Sequence, residues 1–118
     1  MASFNPTVSG GYTPILERPI SSAFIGRGVY VYPNITTVLN VESSAGFLSH
    51  LVNGSVSNNI VTITLDGVKI LDNHLCLSDQ ILVGEGGAFN RLVFSDSLKI
   101  QFKVTSGSTQ VEYTGVTL

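Results

Sequence analysis

The chain has one cysteine, no tryptophan and little charge: 12% of its 118 residues are charged, about half the share usual in globular proteins. Each shortage excludes something. A lone Cys76 permits no intramolecular disulfide and no cysteine-based metal cage. It lies in the apolar run Leu75-Cys76-Leu77, where a free cysteine behaves as a small buried hydrophobe. The six cations, Arg18, Arg27, Lys69, Arg91, Lys99 and Lys103, do not cluster, so the basic footprint of a nucleic-acid binder is missing. No stretch approaches the roughly 18–20 apolar residues that span a bilayer, and no membrane partner is expected. Met1 to Pro6 has neither a basic start nor a continuous apolar stretch, so no secretory signal is visible and synthesis in a cytoplasm is expected. Without that signal, the Asn34-Ile35-Thr36 and Asn53-Gly54-Ser55 triplets read as chance matches to the glycosylation pattern.

Motifs of catalysis are missing too. There is no Gly-x-Ser-x-Gly elbow, no His-Glu-x-x-His helix and no phosphate-binding loop ending in Gly-Lys-Ser/Thr. His50 and His74 stand apart, whereas zinc needs three or four ligands and acid–base work at least two groups in reach. Asp72-Asn73 reads as a turn pair after a strand. Asp66, Asp72 and Asp79 lack the regular spacing of a calcium loop, and Gly84-Glu85-Gly86-Gly87 reads as a flexible loop. No catalytic residue, metal ligand or cofactor is assigned, and the protein is expected not to be an enzyme.

What the chain does have is 43% apolar residues together with 14 Ser, 10 Thr and 8 Asn. That balance argues for a folded core and against disorder. Two regions are expected. Residues 1–28 carry Pro6, Pro14 and Pro19 among several glycines and sustain no period, which predicts an extended N-terminal arm or short edge strands. Its Phe4, Tyr12, Ile15, Leu16, Ile20, Phe24 and Ile25 are too apolar for a free linker and are expected at contacts with a sheet or a neighbouring copy.

From residue 29 to 118 the period is two, the signature of strands. About eight strands are predicted, separated by short turns. Ile60 to Leu65 runs through Asp66-Gly67, a preferred type I′ pair, into Val68 to Leu71. The expected register sets Leu65 against Val68, Ile63 against Ile70 and Thr64 against Lys69. Leu98, Ile100, Phe102 and Val104 alternate with polar residues. A Gly107-Ser108 turn would pair Val104 with Val111, Phe102 with Tyr113 and Lys103 with Glu112. Ser78 to Val83 is the one short helical candidate. The pattern predicts an all-β antiparallel sandwich, jelly-roll-like, with an extended N-terminal arm. Tyr30 and Tyr32 share a strand face; if Val29 and Val31 are core, the tyrosines face outward toward a sugar or a subunit.

The stretch "GFLSHLVNGSVSNNIVTITLDGVKI", with "LVFSDSLKIQFKV" and "VEYTGV" after it, resembles small β-sandwich structural proteins of tailed-bacteriophage virions. In these a strand ending in Leu65-Asp66-Gly67 here is followed by a strand of the form Phe94-Ser95-Asp96-Ser97-Leu98-Lys99-Ile100. The resemblance covers residues 46–118 and not the arm. It implies a non-enzymatic virion role: head decoration or cement, head fibre, or a tail or neck component. The partners expected are further copies of the chain, as a homotrimer, and other virion proteins such as the major capsid protein. Contacts are expected at the seven arm residues with Tyr30 and Tyr32. The competing reading is a carbohydrate-binding module that recognises a host glycan.

Overall fold

A computed structural model describes residues 19–31, 34–54, 58–104 and 108–118. Among these lie nine strands: β1 (Ser22–Val31), β2 (Asn34–Val41), β3 (Gly46–Asn53), β4 (Asn59–Leu65), β5 (Val68–Cys76), β6 (Gln80–Val83), β7 (Leu92–Phe94), β8 (Leu98–Val104) and β9 (Ser108–Thr117). One sheet has the order β1-β9-β3-β6, with β7 also on β3, and the other the order β2-β8-β4-β5. All the strand pairs are antiparallel. The protein is therefore an all-β sandwich of two antiparallel sheets. With the short β7 set aside, β1 pairs β9, β2 pairs β8, β3 pairs β6 and β4 pairs β5. That is one long hairpin folded over and wrapped into two layers, the jelly-roll arrangement.

Alternation builds the core. On β8, Leu98, Ile100, Phe102 and Val104 are buried while Lys99 and Lys103 are exposed. On β4, Val61 and Ile63 point the same way. Facing them from the other sheet are Leu48, Leu51, Val83, Phe94 and Val111, all essentially free of solvent. A strand of period two can bury only one face in a two-layer fold, so these residues define the interlayer space.

Four expectations need correction. First, β8 and β9 do not form a hairpin. β8 lies between β2 and β4, and β9 lies between β1 and β3 in the other sheet. Lys103 stands opposite Ile35 and Ile60, and Glu112 opposite Arg27 and Val52. Alternation tells which face is buried, not which strand is the neighbour. The expected turn at 107 lies outside the described residues.

Second, the Asp66-Gly67 turn forms with both φ values positive, 50° and 82°, and sets Leu65 against Val68 and Thr64 against Lys69. Farther out the register departs: Ile63 faces Leu71 rather than Ile70, because β5 carries extra residues as β-bulges. Val68, at the tip, is 64% exposed. Third, Asp72-Asn73 is not a turn but part of β5. Asn73 takes a φ of 50° and its N–H donates to Thr62 Oγ1 at 3.1 Å. Fourth, Ser78 to Val83 is not helical. A turn with Asp79 at φ 55° leads into β6, and the Gln80 side chain accepts the Leu77 N–H at 2.8 Å. β1 runs without interruption through residue 28, so the last residues of the expected arm are sheet.

Candidate functional site

The residues with chemical capacity are dispersed. His50 is on β3 and His74 on β5, strands of different sheets. Among the described residues no three His, Cys, Asp or Glu side chains gather as a metal site would need. Cys76 is buried. Burial pushes its thiol up to about 11, outweighing a hydrogen bond with Asn53 that lowers it, so it is a neutral core group rather than a nucleophile.

Asp66 does more than turn the chain. Its carboxylate accepts the N–H groups of Ser95 (3.0 Å), Asp96 (2.7 Å) and Ser97 (3.0 Å), and the Ser95 hydroxyl (3.0 Å). The β4–β5 tip is thereby clamped to the β7–β8 turn. Desolvation, the largest single effect, raises its pKa, but the hydrogen bonds from Ser97, Ser95 and Asp96 together outweigh it and hold the carboxyl at about 2 against an ordinary 3.8. A depressed carboxylate lends stability that is complete above the unfolded-state pKa and lost as pH falls through the folded one. Because the group is exposed, its contribution is discounted to about 1 kcal/mol. Asp66→Asn should thus be about 1 kcal/mol less stable than the parent at pH 6. The gap should close between pH 4 and 2, read by urea unfolding at each pH. A gap unchanged at pH 2 would mean the charge is irrelevant.

The surfaces are more informative than the titratable groups. On the outer face of the β1-containing sheet, strand registers align Ala23, Val116, Phe47 and Val93 across four strands. The row is wholly apolar, and the Arg91 guanidinium lies 4.8 Å from the Phe47 ring centroid. In the next row Ile25 faces Thr114, which faces His50 on its other side, and Ile25 is 78% exposed, the most of any large hydrophobic among the described residues. Arg27 follows, 3.5 Å from Glu112, with the Gln110 side-chain oxygen also accepting from its guanidinium.

The outer face of the other sheet repeats the theme. Registers align Ile35, Lys103, Ile60 and Leu75, with Ile35 68% and Leu75 53% exposed. A shallow hollow of about 180 Å³ opens there, lined in part by Ile35, Ile60, Thr62, Gln101 and Lys103. Its remaining rows are neutral and polar, Thr37-Gln101-Thr62, or mixed, Asn40-Lys99-Thr64-Lys69. Each side chain is ordinary alone; the alignment of apolar groups across neighbouring strands is what marks an interaction surface.

No family model, curated protein or solved structure matches the chain.

Of the expected contact residues, Ile20 and Ile25 are exposed. Phe24 turns inward, packing on the core and 6.2 Å from the Tyr113 ring. Tyr30 lies on β1, while Phe4, Tyr12, Ile15, Leu16 and Tyr32 lie outside the described residues. Ile35, Ile60 and Leu75 escaped the sequence reading. Their signal was the consecutive apolar pair Ile60-Val61, which in a two-layer sandwich must leave one member facing outward.

Proposed function

We propose that this protein is a non-enzymatic structural subunit of a tailed-phage virion, a rigid sandwich that associates with copies of itself and with other virion proteins through its outer surfaces. The observation that carries this reading is a pair of cross-strand rows on the two outer faces, one wholly apolar and the other apolar except for Lys103, set in a surface whose polar part is mostly Ser, Thr, Asn and Gln. Such groups are desolvated at a smaller cost than Lys or Glu, and interface centres are depleted in charge. The low charge content of the chain fits a molecule that spends its life covered. The Asp66 clamp and the double-layer core support the same reading, because a building block must present a fixed shape.

The test is the native mass of the purified chain by light scattering, alone and after mixing with purified phage heads and tails. The expected result is a defined multiple of the chain mass, or stable co-sedimentation with one particle part. A monomer at about 100 μM that binds neither would overturn the reading, since surfaces meant for association should act well above the micromolar range.

A further inference from the structure

We infer that the edge of β1 away from β9, which no other described strand pairs, is a self-recognition site at which a second copy adds its own β1 antiparallel about a two-fold axis, with Ile25 opposite Ile25 of the second copy. This deepens the assembly reading above by naming the partner and the register.

The argument starts from the contrast among sheet edges. An exposed edge offers a row of unpaired N–H and C=O groups, and natural proteins block it by shortening, bulging or charging the strand. Three edges here carry such devices. The edge beyond β3 is split between β6 and β7, of four and three residues. β2 has a register shift between Thr37 and Leu39. The β4–β5 register shifts twice, and β5 carries Lys69 and the left-handed Asn73. β1 has none of them. It is ten residues long, its register against β9 is unbroken from Ser22 to Val31, and among the described residues β9 is its sole sheet neighbour. Its one charge, Arg27, is engaged by Glu112 and Gln110 on the β9 side.

Self-complementarity selects the register. From Ala23 to Gly28 the even-numbered residues are the less exposed and the odd-numbered ones face outward, so an antiparallel copy continues the sheet only when paired residue numbers sum to an even value. Centring the axis on Arg27 would oppose two guanidinium groups, which is unfavourable. Centring it on Gly26 sets glycine against glycine at the axis and each Ile25 against an Arg27, so the exposed Ile25 gains no apolar partner. Centring it on Ile25 covers that exposed side chain with its own copy. It also sets each Arg27 opposite an Ala23 and each Phe24 opposite a Gly26. The two Arg27 then lie about 13 Å apart along the sheet, beyond a Debye length at physiological salt. A two-fold pair of this kind is closed and differs from the three-fold arrangement expected from the sequence.

The test uses the full chain with single substitutions at exposed positions. In this register Ile25→Cys brings two thiols together across the axis, with Cα atoms about 4.5–5.5 Å apart, inside disulfide range. Arg27→Cys leaves them about 13 Å apart. Under mild oxidation Ile25→Cys should give about ten times more covalent dimer than Arg27→Cys. Buried Cys76 provides little background. Ile25→Lys should abolish the non-covalent dimer while its melting temperature stays near that of the parent. Stronger cross-linking through Arg27→Cys overturns the proposal. So does a native trimer, or a monomer that still binds phage particles, but these two leave the structural-subunit reading standing; a monomer that binds nothing overturns both.

Discussion

Asn53→Ala is expected to lower the unfolding free energy by about 3–5 kcal/mol. Asn53, Asn59 and Thr109 are the buried polar side chains among the described residues, at 0%, 0% and 1% exposure. Asn53 Oδ1 accepts from Asn59 Nδ2 at 3.1 Å and from the Thr109 hydroxyl at 2.6 Å. Its Nδ2 donates to the Leu77 carbonyl at 3.0 Å. Asn53 and Thr109 belong to one sheet and Asn59 to the other, so a single amide ties the two layers and the end of β5 together. Alanine takes away the acceptor of two buried donors and the donor to one carbonyl, each worth about 1–3 kcal/mol when left without compensation. For a chain of this length the loss corresponds to a melting temperature lowered by about 10–20 °C. Thr109→Val, which removes one bond and keeps the volume, should cost only about 1–2 kcal/mol. Urea unfolding of both variants checks the order. A loss below about 1 kcal/mol for Asn53→Ala would show that entering water replaces the side chain fully and that the amide is no tie.

That cluster also shows where sequence reading stops. Asn53-Gly54 looks like the end of a strand, which it is, but an asparagine in a chain so rich in Ser, Thr and Asn carries no sign of pointing inward. What was legible was local. Asp66-Gly67 specifies its turn because both residues must take positive φ, and β8 declares its buried face because every second residue is apolar. Partner choice is not local. Lys103 and Glu112 point outward whether their strands are neighbours or sit in opposite sheets, so the charge pair that suggested a hairpin was equally compatible with two layers. The bulges of β5 were hidden for a similar reason: Asp72-Asn73 has turn chemistry, and only the facing strand β4 decides that the chain runs straight on. The arm's apolar residues divided in a way composition cannot show, with Phe24 inward and Ile25 outward on consecutive positions of one strand.

Gly115→Ala is expected to cost about 2–3 kcal/mol, and Gly26→Ala distinctly less, although both glycines lie opposite an aromatic residue on the same strand pair. Phe24 faces Gly115 and Tyr113 faces Gly26, so each ring lies over a position without a side chain, and the two rings are tilted by 49°. A methyl group at residue 26 would meet only the far end of the Tyr113 ring, which can swing aside. At residue 115 it would meet the Phe24 ring and also the Phe47 carbonyl oxygen at 2.6 Å. That oxygen belongs to β3, the central neighbour of β9, and cannot retreat without breaking the sheet. The difference between a yielding side chain and a fixed backbone therefore separates two substitutions that composition would treat alike. Thermal and urea unfolding give the comparison directly, and equal losses would show that the ring over Gly26 is as immobile as the backbone over Gly115. Gly115→Ala should also weaken the β1 edge pairing, since a displaced Phe24 would crowd the glycine of the second copy. Gly26→Ala adds its methyl group on that inner face opposite the partner's Phe24. It should therefore disturb association more than its small effect on folding would suggest. Stability and native mass measured on the same two variants separate the role of β1 in the fold from its role as an edge.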